Sequence, residues 1–264
     1  MTVSACGGNG GQTTTTSADV PPLRAQGADQ VVVPVLWFMA DKTSSEIAPA
    51  DRGAWYAAYR TMLEHDASLA QRANAGLLVV GSELVSMSRD TDAWTDLVAA
   101  ARNRFVGRLT YAANWVDEAD QIGFWDTLDS VGIDAYMPLT PDDPNPSVQQ
   151  LQAAWQPYVA RMREVGERAG KPVPVTELGY TSRKGTALAP ATEGDGPISQ
   201  QAQANAYAGA FRALGHQSWI SGLLIWDWSA EDRVGPGDYS PQGKHARLVM
   251  RRWFGGAAPS DATG

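Results

Sequence analysis

Short apolar runs alternate with longer amphipathic segments along most of the chain. The runs occupy residues 30–39, 76–84, 107–115, 131–139, 173–180 and 221–228. Each is almost entirely apolar where it begins, which is typical of parallel strands covered on both faces. We therefore predict six strands of a largely parallel sheet.

The segments between these runs carry apolar residues at intervals of three and four, the spacing of amphipathic helices. They occupy residues 51–73, 91–105, 147–170 and 199–215. The polar residues Asp51 and Ser147 stand where helix N-caps are expected. Repetition of strand and helix predicts βαβ units. Because no GxGxxG or P-loop follows the first strand, we favour a TIM (β/α)8-type barrel over an open nucleotide-binding sheet.

A closed barrel needs eight strands, and the pattern supplies about six βα units. We therefore expect an incomplete barrel, with its first strand missing and its third strand missing near Ile47. The predicted organisation is a signal remnant and flexible tether over 1–26, a catalytic barrel over 27–256 and a disordered tail over 257–264. Three explanations stay open: a fragment or deletion variant, strands supplied by the tether, or a barrel kept only as a binding surface.

Two of the apolar runs end in a carboxylate, Glu83 and Glu177. In a (β/α) barrel the strand ends line the active site. An isolated Glu is usually a solvated surface group, but these two follow uncharged strands. A pair of carboxylates is what glycoside hydrolysis requires, and retention of configuration needs them about 5 to 5.5 Å apart. Further candidates for substrate binding stand at or near the strand ends: Trp37, Asn114, Trp115, Asp134, Tyr136, Tyr180 and Trp226.

The composition argues against several other classes of function. The net charge of −8 leaves no broad basic surface for nucleic acid or for a membrane surface. No apolar run reaches the roughly 20 residues of a transmembrane helix. The three His are scattered without metal-binding spacing, and no GxSxG elbow is present. We predict neither a metal site nor a cofactor.

The N-terminal segment contains the single cysteine, Cys6, at the end of "VSAC". A Gly/Thr-rich stretch follows, as in the tether of a bacterial lipoprotein. Only Met1 to Val3 precede the motif, without a basic region or a full apolar region. Two interpretations stay open, an incomplete lipoprotein signal and a chance match. The first predicts an extracellular or cell-surface protein with a lipid anchor at Cys6.

Several blocks of the sequence resemble, in order, glycoside hydrolase family 113, the retaining β-mannanases of a (β/α)8-barrel clan. The blocks are "LLVVGSELVSM", "LTYAANW", "FWDTLDSVGIDAYMPL", "PVTELGYTS", "LLIWDWS" and "DYSPQGKHA". The resemblance implies Glu83 as acid/base on the fourth strand and Glu177 as nucleophile on the seventh. It also suggests sugar contacts for Asn114, Trp115, Tyr136 and Trp226.

Physical chemistry supports some of these roles and leaves others open. Tyr136 can donate a hydrogen bond that stabilises an ionised nucleophile. Trp226 suits either a sugar face or the core. Many enzymes of the clan carry Asn before the acid/base, whereas this chain has Ser82, so the sugar preference stays open.

The function expected is therefore endo-β-1,4-mannanase-like, retaining hydrolysis of β-mannan or manno-oligosaccharides. Two alternatives stay open. One is a catalytically impaired surface glycan-binding protein, and the other is a hydrolase of the same fold acting on another β-glycan. In each case the partner is a β-linked polysaccharide or oligosaccharide.

Overall fold

The predicted alternation of strands and helices is present in the computed structural model, which describes residues 2–4, 30–32, 52–140, 142–228 and 234–255. The strands are β1 Thr2–Ser4, β2 Gln30–Val32, β3 Leu77–Ser82, β4 Arg108–Asn114, β5 Ser130–Asp134, β6 Val173–Leu178 and β7 Ile220–Ile225. The α-helices are α1 Arg52–Arg72, α2 Thr91–Arg102, α3 Trp115–Ala119, α4 Val148–Ala169, α5 Gln200–Leu214 and α6 His245–Trp253. The fold is α/β, of the partial (β/α)-barrel type.

The chain divides into two compact units, and the organisation into tether, barrel and tail stays a prediction. The first unit comprises residues 1–34, 135–161 and 175–264, and the second comprises 35–134 and 162–174. The division falls within α4 and within β6, and each unit is described separately below.

In the second unit, β4 is the central strand and pairs in parallel with β3 and β5. Its register with β5 runs from Thr110, opposite Ser130, to Asn114, opposite Asp134. The register with β3 shifts between Val79 and Ser82. This irregularity lies directly before Glu83, so the chain leaves the sheet at a predicted site residue.

The core of the second unit is aromatic. Trp94 stacks on Phe124 with ring centroids 5.1 Å apart, and Tyr111 meets both rings edge-on. All three side chains are fully buried. Gly81 lies against this cluster, because a Cβ atom there would be 2.6 Å from Cη2 of Trp94. The cluster therefore holds the ends of β3 and β4 in place.

Asp129 closes the opposite end of β4. The segment "FWDTLDS" has helical spacing, but within it only Trp125–Thr127 forms a turn of 3-10 helix. Asp129 lies beyond it and accepts hydrogen bonds from the Leu109 amide and from Arg102, each 2.7 Å long. The carboxylate therefore ties the start of β4 to α2.

In the first unit, the strand order is β2, β1, β7, β6. β1 runs parallel to both its partners, with Val3 opposite Val31 and opposite Ile225. Thr2–Ser4 thus pairs as a short strand within the segment expected to be a signal remnant and tether, as in the alternative that this segment supplies strands. Three residues are too short to show a strand pattern in sequence. The expected gap near Ile47 lies outside the described residues.

Four aromatic side chains of the first unit pack against one another in succession. Tyr180 meets Tyr207 edge-on at 5.2 Å, and Tyr207 stacks on Phe211 at 5.7 Å. Phe211 stacks in turn on Trp253. These rings fix α5 and α6 against the strands, as the amphipathic pattern of 199–215 predicts.

In the segments that the structure describes, no helix combines the length and apolar character needed to cross a bilayer.

Candidate active site

Glu177 is the penultimate residue of β6, in the first unit, and its environment is well defined. The Tyr136 hydroxyl donates a 2.7 Å hydrogen bond to Oε2 of Glu177. The Ala135 amide donates to the Glu177 carbonyl, also at 2.7 Å. The hydrogen bond predicted from Tyr136 is therefore confirmed. Since a hydroxyl donor favours the charged form of its acceptor, Tyr136 stabilises Glu177 as a carboxylate.

The residues beside Glu177 pack without spare room. A Cβ atom on Gly179 would lie 2.5 Å from the Trp226 carbonyl oxygen, 3.1 Å from the Tyr239 ring and 3.2 Å from the Tyr136 ring. Tyr239 meets Tyr136 edge-on, with centroids 6.5 Å apart. Burial raises the pKa of Tyr239 to about 12, and nearby carboxylates, Glu177 among them, add to the shift. Tyr239 is thus a neutral hydroxyl at neutral pH.

A second carboxylate of the first unit follows β7. Burial raises the pKa of Asp227 to about 6, and the charge of Asp238 adds to the shift. Asp238 forms an ion pair with the buried Lys244 and accepts a hydrogen bond from the Gly235 amide. Burial lowers the pKa of Lys244, against the opposing effect of Asp238. The Trp226–Asp227 peptide bond is cis.

Glu83 lies directly after β3, in the second unit, and its backbone is left-handed with φ of 54°. Its amide donates to the Ala112 carbonyl at 2.9 Å, and the next amide, that of Leu84, donates to the Tyr111 hydroxyl at 2.7 Å. Solvent reaches Glu83. Neighbouring protein atoms nevertheless desolvate the carboxyl group and raise its pKa, and the negative charge of Glu118 raises it further.

Ser82 and Asp134 form a polar contact in the same unit. The Ser82 hydroxyl donates to Oδ2 of Asp134 at 3.1 Å. Asp134 is completely buried. The substrate-binding role of Asp134 stays a prediction. The buried position of Asp134 supports the residue that precedes Glu83.

The other predicted residues have varied surroundings. Asn114 ends β4, and Trp115 follows it with φ of 57°; both are half-buried. Trp226 is half-buried, so its two interpretations stay open. Tyr180 is completely buried, and its contact with substrate stays a prediction. Trp37 lies outside the described residues. Within the described part of the chain, no group of three or more His, Cys, Asp or Glu is placed to hold a metal ion.

Sequence analysis missed four residues around the two candidate carboxylates. They are Tyr111, Glu118, Gly179 and Tyr239. A carboxylate four residues beyond a strand end, as in "NWVDE", is the one signal that could have drawn attention to Glu118. The others look like ordinary strand, turn and loop residues until the packing is known.

Parallel strands alternating with helices, with carboxylates at or just beyond strand ends, define the class of (β/α)-barrel glycosidases. The model of Glycoside Hydrolase Family 113 matches residues 25–240. The chain therefore belongs to glycoside hydrolase family 113.

Comparison with solved structures agrees with this assignment. A family 113 β-1,4-mannanase is 26% identical, with a TM-score of 0.69, and the match covers 89% of this chain and 76% of that one. The family 113 β-mannanase from Alicyclobacillus acidocaldarius, in complex with ManMIm, is also 26% identical with a TM-score of 0.69; coverage is 85% of this chain and 70% of that one.

A more distant structure shares the fold alone. The β-glucuronidase of Ruminococcus gnavus is 13% identical with a TM-score of 0.65, over 89% of this chain and 46% of that one. Comparison with curated proteins gave no match.

Proposed function

We propose that the protein is a retaining, endo-acting β-1,4-mannanase in which Glu177 is the nucleophile and Glu83 is the acid/base. The observation that carries the proposal is the contrast between the two carboxyl environments. Glu177 accepts a hydroxyl hydrogen bond that favours its charged form. Desolvation and the charge of Glu118 hold Glu83 toward its protonated form. Such a contrast separates a nucleophile from a general acid.

Each half of the proposed reaction uses both residues. In the first half, the Glu177 carboxylate attacks the anomeric carbon while Glu83 gives its proton to the departing glycosidic oxygen. This step leaves a glycosyl ester on Glu177. In the second half, Glu83 removes a proton from water, the water oxygen attacks the anomeric carbon, and the bond to Glu177 breaks. The product keeps the β configuration.

The choice of mannan rests on the two mannanases that share 26% identity with the chain. Ser82 motivates the alternative of another β-glycan. Its hydroxyl donates to the buried Asp134, where many enzymes of the clan have an amide side chain that reaches the sugar. A shorter side chain engaged with the protein interior changes which sugar hydroxyl can be recognised at this position.

The direct test is hydrolysis of mannan, manno-oligosaccharides, cellulose and xylan by the purified full chain. We expect turnover of mannan, with the β-anomer detected first by NMR. Glu177→Gln and Glu83→Gln should each lose at least about a hundred-fold of kcat. Glu167→Gln is the matched control, because Glu167 forms an exposed ion pair with Arg163 within one helix.

Three results would count against the proposal. Undiminished turnover in Glu177→Gln would remove its assigned role. Preferred cleavage of another polysaccharide would favour the alternative substrate. Calorimetric binding of manno-oligosaccharide without turnover by the wild-type protein would favour an impaired glycan-binding protein.

A cell-surface location with a lipid on Cys6 stays a proposal from the sequence motif. Processing before Cys6 would remove Thr2–Ser4, the strand that pairs with both β2 and β7. Intact-mass measurement of the protein from the membrane fraction tests this proposal. A lipidated N-terminal cysteine would support the anchor, and an unmodified Cys6 would contradict it.

A further inference from the structure

Glu118 is a buried carboxylate that the reaction proposed above does not use. It lies in the short helix α3 and is 4% exposed. It accepts three hydrogen bonds: from the Ser88 hydroxyl at 2.5 Å, from the Tyr111 hydroxyl at 2.8 Å and from the Asn114 amide at 2.6 Å. A carboxyl group that only accepts hydrogen bonds, at both oxygens, is stabilised in its ionised form.

The direction of the Tyr111 hydrogen bond is fixed by its other partner. The Leu84 amide can only donate, so the Tyr111 oxygen accepts from it at 2.7 Å. The hydroxyl proton is then directed at Glu118. Burial and the charge of Glu118 raise the pKa of Tyr111, so this donor keeps its proton. A continuous relay therefore runs from the Leu84 amide through Tyr111 to Glu118.

Both chain segments tied by this relay have left-handed backbone at a non-glycine residue. Glu83, next to Leu84, has φ of 54°, and Trp115, next to Asn114, has φ of 57°. Such conformations are unfavourable for residues with a side chain and persist where surrounding contacts determine them. Glu118 is the common acceptor for both segments, reaching one through Tyr111 and the other directly.

We propose that Glu118 and Tyr111 are positioning residues for Glu83, fixing the loops after β3 and β4 and placing a carboxylate near the candidate acid/base. This inference rests on the acid/base role proposed for Glu83. Among the described residues, Glu118 is the charged group that bears on the ionisation of Glu83. Tyr111, which accepts from the adjacent Leu84 amide, is a neutral titratable neighbour because its pKa is raised. The charge of Glu118 favours the protonated form of Glu83, and the hydrogen bonds through Tyr111 hold the loop that follows β3.

The test compares Glu118→Gln and Tyr111→Phe with the matched control Asp129→Asn. Asp129 also holds a backbone amide of β4, that of Leu109, but at the other end of the strand. The control therefore lowers stability without touching the loop of Glu83. Near-UV circular dichroism establishes that each variant is folded.

The first readout is the titration of Glu83 by carbon-13 NMR, assigned with Glu83→Gln. Removal of a nearby negative charge favours ionisation of Glu83, so Glu83 should titrate at a lower pH in Glu118→Gln than in wild type. Tyr111→Phe and Asp129→Asn keep that charge and should titrate as wild type. An unchanged titration in Glu118→Gln would overturn the electrostatic part of the inference.

The second readout is hydrogen exchange of the peptide containing Leu84. Exchange of the Leu84 amide should be faster in Tyr111→Phe, because this substitution removes the hydroxyl that accepts from it. Exchange should be unchanged in Asp129→Asn. Equal exchange in Tyr111→Phe and wild type would overturn the positioning part. If Glu118→Gln does not fold, hydrogen exchange in Tyr111→Phe still tests whether the loop of Glu83 is positioned by this relay.

The third readout compares a manno-oligosaccharide with a dinitrophenyl β-mannoside, whose leaving group needs no general acid. Both variants should lose on the order of ten- to a hundred-fold of kcat/KM on the oligosaccharide, and much less of kcat/KM on the aryl substrate, because kcat/KM reports the first half-reaction, in which the aryl leaving group needs no proton. Equal losses on the two substrates would contradict a role through Glu83. If wild type cleaves no glycan, the proposed function fails, while titration and exchange still decide this inference.

Discussion

The contact between the end of β6 and the end of β7 offers a sharp test of how the site around Glu177 is held. Gly179→Ala adds one methyl group where three groups already meet: the Trp226 carbonyl, Tyr239 and Tyr136. The distance of 2.5 Å to the carbonyl oxygen is well inside van der Waals contact, so the backbone must move. The φ of Gly179 is not positive, so the cost comes from crowding and not from the conformation of the residue.

The expected cost is about 1 to 3 kcal/mol, as for other overpacked interiors. We expect a cost at the upper end of this range because the nearest atom, the Trp226 carbonyl oxygen, belongs to the backbone. In addition, the Trp226 amide donates to the Leu178 carbonyl at 3.0 Å, and this hydrogen bond resists separation of the two strands. For a chain of this size the corresponding fall in Tm is roughly 2 to 12 °C. Movement of the Tyr136 ring should also weaken its bond to Glu177 and lower kcat.

Gly222→Ala is the matched control, because a Cβ atom on Gly222 has nothing within 4 Å. It lies in β7 of the same unit and should leave stability unchanged or slightly improved. Calorimetric Tm and kcat on mannan would be measured for both variants. A Gly179→Ala protein as stable and active as Gly222→Ala would refute the close packing described around Glu177.

Two further predictions concern polar groups of the first unit. Tyr136→Phe should lower kcat by about ten- to a hundred-fold, because it removes a hydrogen bond to a charged group, while Tm changes little; unchanged kcat would contradict the role of the hydroxyl. Asp227→Asn should raise Tm relative to wild type at pH 7 but hardly at pH 4. With a folded-state pKa of about 6, Asp227 contributes stability that is fully present below its unfolded pKa and is lost as pH rises through 6. Equal Tm differences at both pH values, measured by calorimetry, would contradict this reasoning.

The strands β3 to β7 could be predicted from sequence because each is a long apolar run ending in a polar or aromatic group. β1 could not, since Thr2–Ser4 is defined by its pairing with β7 and β2 and not by any pattern of its own. Asp129 shows the same limit. The spacing of "FWDTLDS" is helical, but the carboxylate of Asp129 accepts a hydrogen bond from β4 that no sequence pattern indicates.

The chemistry around the two glutamates divides in a similar way. Glu83 and Glu177 are conspicuous because a charge follows an uncharged strand. Tyr180 and Asp134 are equally close to strand ends, yet both are completely buried. Sequence spacing shows that a residue is near the end of a strand, but not which way its side chain points. Glu118 was missed for the same reason, since its three hydrogen-bond donors come from two other segments, the loop after β3 and the strand β4.

The central claim, that Glu177 is the nucleophile of a retaining glycosidase, is tested most directly by trapping the glycosyl ester. The full chain would be incubated with a 2-deoxy-2-fluoro manno-oligosaccharyl fluoride, and its intact mass and labelled peptide would be determined. We expect one sugar ester per chain, located on Glu177 and absent from Glu177→Gln. A label on another residue, or continued turnover of mannan with no label, would contradict it.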